Sequence, residues 1–203
     1  MSQRARLASL ILLAFLVVPV AAQAVVEPKT ETAYPDELVV ETEGGSYTLD
    51  ATGVALREKT MLKVDVYTIV SYLANGTTLE GDLGAAIIVV DTPKRIQMDL
   101  RRSFSKDKLI GSFRDVIEKN YEDTSMFAAD MDSFDACFSR DAEDGDEIIF
   151  DYKPPTGLAI HLNGEIKRVI ENFEFVKALW TVWFGEKPAN NGMKEKLLAE
   201  LGS

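Results

Sequence analysis

Three features of this 203-residue chain predict an α+β domain with helices packed on one side of an antiparallel sheet. Short runs with β signals, separated by turn dipeptides, occupy 38–99. A helical period takes over from Ser105, and a three-strand meander with two further helical stretches closes the chain. With 46% apolar and 27% charged residues, composition excludes a disordered chain, a collagen and a disulfide scaffold, and suits one compact domain.

Residues 1–24 read as a secretory signal peptide. Arg4 and Arg6 precede an apolar run at 7–20, which ends at Ala22-Gln23-Ala24, small residues of the kind a signal peptidase reads. The run is shorter than the roughly 20 apolar residues a membrane-spanning helix needs. Cleavage after Ala24 is expected, with an uncleaved N-terminal anchor as the alternative. Export would place the protein in the periplasm or outside the cell, with no stable membrane anchor once the peptide is gone. Residues 25–36, with Pro28, Pro35 and three acids, read as an extended lead, and 37–203 as a single domain.

Leu38-Val39-Val40 and Tyr47-Thr48-Leu49 predict short strands around Gly44-Gly45. The run at 61–73 holds Val64, Val66, Tyr67, Ile69, Val70, Tyr72 and Leu73 and stops at Asn75-Gly76, so a long, largely buried strand is expected. Residues 79–90 fit a short helix by apolar content and a strand by Ile87-Ile88-Val89-Val90; Thr92-Pro93 ends either. Ile96, Met98 and Leu100 alternate with Gln97, Asp99 and Arg101, the pattern of a strand with one polar face. With Ser105 as N-cap, Leu109, Phe113, Val116, Ile117 and Tyr121 make one helical stripe. A second helical stretch follows at 126–138. Gly145-Asp146, Pro154-Pro155 with Gly157, and Asn163-Gly164 then punctuate three strands. Phe173, Val176, Trp180, Trp183 and Phe184 form another helical face ended by Gly185 and Pro188, and 193–201 a last helix.

Charge narrows the function. With 33 acidic against 22 basic residues the net charge is −11, a field that repels nucleic acid and anionic lipid surfaces. Cys137 and His161 are the only residues of their kinds, which excludes an internal disulfide and a four-ligand Cys/His zinc site, and no metal or cofactor is implied. Cys137 reads as a buried apolar residue or as a route to a linked dimer. His161 alternates with Leu158, Ile160 and Leu162 and should face the other side of the sheet, a poor place for a base. The acidic run 141–147 has a calcium-loop flavour, but its glycine is fifth rather than sixth and Tyr152 stands at the twelfth position, so a solvated acidic turn is expected. Asn75-Gly76-Thr77 matches the glycosylation pattern, although turn chemistry explains it as well.

The string Gly53-Val54-Ala55-Leu56-Arg57, followed by Val66-Tyr67 and Tyr72-Leu73, resembles the early strands of the chalcone isomerase-like family in its bacterial exported branch. Pro93-Lys94-Arg95-Ile96, Gly145-Asp146, Asp151-Tyr152, Asn163-Gly164, Phe173, Phe175, Trp183-Phe184-Gly185 and Leu197-Leu198 are similar to later landmarks, in the same order. The resemblance implies an open-faced β-sandwich, a large antiparallel sheet under a helical layer, with a ligand cleft between them. In the plant isomerases an arginine holds the phenolate that closes on the enone, while hydroxyl and amide side chains arrange carbonyl and water. Arg57 matches that arginine. The place of the threonine falls at Tyr67, that of the tyrosine within Ser105-Lys106-Asp107-Lys108, and the last hydroxyl near Val176, so the catalytic set is not carried over. Fatty-acid-binding relatives seat a carboxylate with the arginine and a tyrosine, which Arg57 and Tyr67 could do.

Read by itself, Arg57 beside Glu58 could also be an exposed cross-strand ion pair, worth about 1 kcal/mol or less. Tyr67 could be a core tyrosine with its hydroxyl tied to backbone. Trp180 and Trp183 read as core, although one could wall a cleft. Three functions follow from the resemblance and the composition. The first is a non-catalytic carrier of a small amphipathic or aromatic anion, such as a fatty acid. The second is an intramolecular lyase on a chalcone- or enone-like substrate, with Arg57 stabilising the developing anion. The third is an envelope protein that works by association alone.

Overall fold

The computed structural model describes residues 23–42, 45–59 and 64–202. The segment read as a signal peptide lies outside them apart from Gln23 and Ala24. Strands β1 (Ala24–Glu27) and β2 (Thr32–Pro35) form a hairpin of their own. Seven further strands make one antiparallel sheet whose spatial order is the chain order. They are β3 (Glu37–Thr42), β4 (Gly45–Lys59), β5 (Val64–Ala74), β6 (Lys94–Leu100), β7 (Glu147–Lys153), β8 (Gly157–Leu162) and β9 (Glu165–Ile170). Helices α1 (Leu83–Val89), α2 (Lys106–Asn120), α3 (Ala128–Asp135), α4 (Phe173–Phe184) and α5 (Asn191–Leu197) supply the second layer. This is the α+β sheet-and-helix architecture the sequence predicts.

Period-two alternation decides which face meets the helices. Along β6, Lys94, Ile96, Met98 and Leu100 are buried, while Arg95, Gln97 and Asp99 are partly exposed. Ala55, Ile69, Ile148, Phe150, Leu158 and Ile160 extend the buried face across the sheet. Phe113 of α2 carries the stripe onto it, with its ring 5.2 Å from Phe134, 5.7 Å from Phe150 and 6.1 Å from Trp183. Both tryptophans are fully buried in this layer. The other face carries polar pairs such as Arg95 with Asp151, at 2.7 Å, and Gln97 with Glu147, at 2.9 Å. His161 is half-buried there, near Asp151 and Arg95, and burial lowers its pKa.

Two segments, the lead and the acidic turn, differ from their expectation, and two others are refined, each for a local reason. The lead at 25–36 is a hairpin docked on the sheet rather than a free tether, because Tyr34 buries its ring against Leu49, Val70 and Tyr72. Its hydroxyl reaches Thr68 at 2.8 Å and also contacts Asp99. The ambiguous stretch 79–90 holds helix α1, started by Asp82 Oδ1 accepting from the Ala85 N–H at 2.8 Å. Ser105 stands at the N-cap of α2 without a side-chain cap bond; Asp141 Oδ1 takes the Lys106 N–H instead, at 3.0 Å. In the acidic turn, Asp146 is buried rather than solvated, since Arg140, the Glu143 N–H and Asn163 all donate to it within 2.9 Å. That held carboxyl titrates down at about 2, mainly through Arg140.

Two buried features fix the layers to each other. Lys94 is fully buried, and its Nζ donates to the carbonyls of Ile87, Ile88 and Val90 at 2.8, 2.9 and 3.0 Å, at the end of α1. The rings of Tyr152, Phe173 and Trp180 surround it at 5.2–5.7 Å. At Gly53 (φ +151°) a Cβ would meet the Lys196 carbonyl oxygen at 2.1 Å, so only glycine lets the end of α5 lie on β4. Thr52 Oγ1 next to it donates to the Leu197 carbonyl at 2.8 Å.

Candidate functional site

A cavity of about 600 Å³ opens at the far end of β6 from Lys94, between the sheet and α2. Cross-strand register builds its floor. Ala55, Ile69 and Met98 are direct partners across three strands and belong to the packed core. Two residues further out, Arg57, Tyr67 and Leu100 are partners in the same way, and all three line the cavity. Lys59 and Arg102 lie beyond them toward the mouth. The wall opposite is one side of α2, where Lys108, Leu109, Ser112, Phe113, Val116 and Lys119 recur at helical spacing. Val182 of α4 and the following Pro188 and Ala189 close the back. The volume lies within the roughly 300–1,000 Å³ of small-molecule sites, and the lining mixes apolar with basic side chains.

Arg57 and Tyr67 are thus brought together as the sequence suggests. Arg57 makes no ion pair with Glu58. Its Nη1 donates to the Glu58 carbonyl at 2.7 Å, while the Glu58 carboxylate is held by Lys29 at 2.8 Å. Tyr67 is half-buried overall with its hydroxyl deep in the wall. Burial pushes that hydroxyl up to about 12, and the charge of Arg57 and the Trp183 indole N–H act the other way. The buried indole N–H makes no hydrogen bond among the described residues. At neutral pH Tyr67 is therefore a neutral donor next to a cation. A guanidinium has five N–H donors, and Arg57 commits one of them to backbone.

Sequence reasoning misses the other cations. Lys59, Arg102, Lys108 and Lys119 share the lining with Arg57, against one acid, Asp115. None of the five basic residues makes an ion pair among the described residues. Elsewhere Lys29, Arg95, Arg114, Arg140, Lys167 and Lys177 do, while others, such as Arg101, Lys106 and Lys153, do not. Arg102 stacks over Phe104 at 5.7 Å, and its Nε is buried with no hydrogen-bond partner. Their signal in the sequence is faint, since they come from a strand end, a turn and a helix flank far apart in the chain.

Of the positions that the resemblance aligns with catalytic hydroxyls, Ser105 and Lys108 border the cavity, while Val176 is buried in the core away from it. Ser112 adds a hydroxyl, already donated to the Leu109 carbonyl at 2.7 Å. A wider hollow of about 750 Å³ beside the hairpin is lined by Asp36, Glu37, Asp50 and Glu200, and none of the candidate residues reaches it.

The model of the chalcone isomerase-like family matches residues 30–199. The chain belongs to that family. No curated protein matches the sequence. Among solved structures, this chalcone isomerase-like chain is similar to a fatty-acid-binding protein of Arabidopsis thaliana, with TM-score 0.69 and 16% identity over 87% of this chain and 96% of that one. At that identity the likeness speaks for the fold, the sheet under a helical layer.

Proposed function

We propose that this chalcone isomerase-like protein is an exported, non-catalytic binder of a small amphipathic anion such as a fatty acid. The signal peptide is removed after Ala24, and the mature protein works in the periplasm or outside the cell, as expected of the family's bacterial exported branch. The carrying observation is the pairing of Arg57 and Tyr67 at the floor of an apolar-walled cavity, with the guanidinium free of any carboxylate among the described residues. A carboxylate seated there would take charge-assisted bonds from Arg57 and a neutral one from the Tyr67 hydroxyl, while its chain lies along Leu100, Leu109, Phe113 and Val116. Likeness to the Arabidopsis fatty-acid-binding protein supports the same ligand class. A buried or half-buried arginine facing apolar walls is best explained by an anionic partner.

Calorimetry with dodecanoate and dodecanol tests the reading. The acid should bind, and Arg57→Ala should weaken it by about 2 kcal/mol or more while leaving the alcohol unchanged. Arg57→Lys should not restore a bidentate contact. Equal affinity of all three folded proteins for the acid overturns the site. Chalcone cyclisation above the spontaneous rate, lost in Arg57→Ala, overturns the non-catalytic part. A chain purified from the envelope that still carries residues 1–24 overturns the processing.

A further inference from the structure

The cavity carries more positive charge than a monocarboxylate can use. Five basic side chains and one acid surround it in a chain whose net charge is −11. Arg57, Lys59, Arg102, Lys108 and Lys119 have no carboxylate partner among the described residues, a state they share with surface cations such as Arg101, Lys106 and Lys153, but only these five line one cavity. Lys59, Lys108 and Lys119 are exposed and hydrated, yet with Arg57 and Arg102 they make the field at this cavity positive and favour an anion there. Arg57 with Tyr67 already suffices for one carboxylate. Arg102 then remains, with its Nε buried and unpartnered, beside Lys108 on the facing helix.

Resting on the amphipathic-anion reading above, we infer that the preferred ligand is a single-chain amphiphile headed by a phosphate monoester rather than a fatty acid. Such a head carries a charge of about −1.5 to −2 at pH 7 and presents three acceptor oxygens. Arg57 and Tyr67 serve one oxygen edge, and Arg102 and Lys108 supply partners for the second charge. Lys59 and Lys119 raise the potential at the mouth and speed capture. The overall acidity of the chain does not prevent this, because a low-dielectric cavity focuses the field of its own lining over that of distant surface acids.

The test compares dodecyl phosphate, dodecanoate, dodecanol and inorganic phosphate by calorimetry on the mature protein at low salt. Dodecyl phosphate should bind at least tenfold more tightly than dodecanoate, with inorganic phosphate far weaker. Arg102→Gln and Lys108→Gln, each confirmed folded by circular dichroism, should weaken dodecyl phosphate severalfold more than dodecanoate and so cut that preference. Arg57→Gln should weaken both anions. Dodecanoate binding as tightly as the phosphate, or a preference untouched by both variants, overturns this inference and leaves the anion reading standing. Failure of every amphiphile to bind overturns the anion reading itself. Inorganic phosphate matching dodecyl phosphate overturns the lipid part. Sedimentation with phosphatidylglycerol vesicles, abolished by Lys108→Gln, in a protein that binds no monomeric dodecyl phosphate would assign the cations to a membrane surface and overturn the proposal.

Discussion

The two ends of β6 hold cations in opposite states. At the start, Lys94 is enclosed, with three carbonyls for its three ammonium protons and three aromatic rings around it. At the other end, about 20 Å away along a seven-residue strand, Arg57 and Arg102 keep donors to spare beside a cavity. Both ends lie under helices. At the closed end the helix stops on the cation, so carbonyls that would lack partners meet a donor. At the open end α2 presents side chains to the cavity, and among the described residues the arginines are left with donors beyond the one Arg57 gives to the Glu58 carbonyl. A buried cation with every donor matched holds a fold together; one with donors left over is open to water or an anion.

Stability measurements can break this contrast. The largest effect is expected for Lys94→Ala, which strands three carbonyls and opens space among Tyr152, Phe173 and Trp180. Denaturant titration should show a loss of about 3 kcal/mol or more. If Arg57→Ala loses as much, the two ends are alike and the contrast falls.

Titration sharpens the same point. Burial pushes the Lys94 ammonium down to about 7, against the charge of Asp91. The folded protein therefore releases this proton near pH 7, whereas the unfolded chain keeps it to about 10.4. Between those values the unfolded state binds more protons, so stability should rise with pH by up to about 1.4 kcal/mol per unit. Comparing wild type with Lys94→Met from pH 6 to 9 isolates the Lys94 contribution as the difference between the two slopes, the variant rising less steeply.

Arg57→Ala comes next, with an expected loss of about 1 kcal/mol or less, since it gives up one bond to a backbone carbonyl. The smallest effects belong to Lys108→Gln and Lys119→Gln, within about 0.5 kcal/mol in thermal or chemical unfolding. Removing one of several clustered like charges should raise stability slightly at low salt, and the gain should fade as salt is added.

What could be read from the sequence was what repeats locally. Alternation in 96–100 and the stripe from Leu109 to Tyr121 report one face each, and the structure buries those faces. Arg57 and Tyr67 were legible through the resemblance, and their direct pairing adds the geometry. The helix at 83–89 was legible only as one of two alternatives, because its seven residues are too few to show a period; Asp82 as its cap was the available sign. The hairpin at 24–35 was hidden by its prolines and acids, and Tyr34 alone marks it as packed. Lys94 reads as a polar residue at a strand start, and nothing local reveals that a helix ends above it. Lys59, Arg102, Lys108 and Lys119 converge only through strand order, which no window of sequence contains.

That strand order has a consequence for how the chain is made. From β3 to β9 each strand is laid beside the one before it, and none is inserted between two already in place. A chain delivered from its N-terminus can therefore grow its sheet at one edge, without rearranging earlier pairs, as it leaves a ribosome or a translocation pore. The closing step belongs to the last residues, because the end of α5 must come back to β4, where Gly53 leaves room and Thr52 receives it. A chain halted after residue 190 would hold every strand and still lack its seal, and limited proteolysis of such a truncated form should find β4 unprotected where the full chain resists.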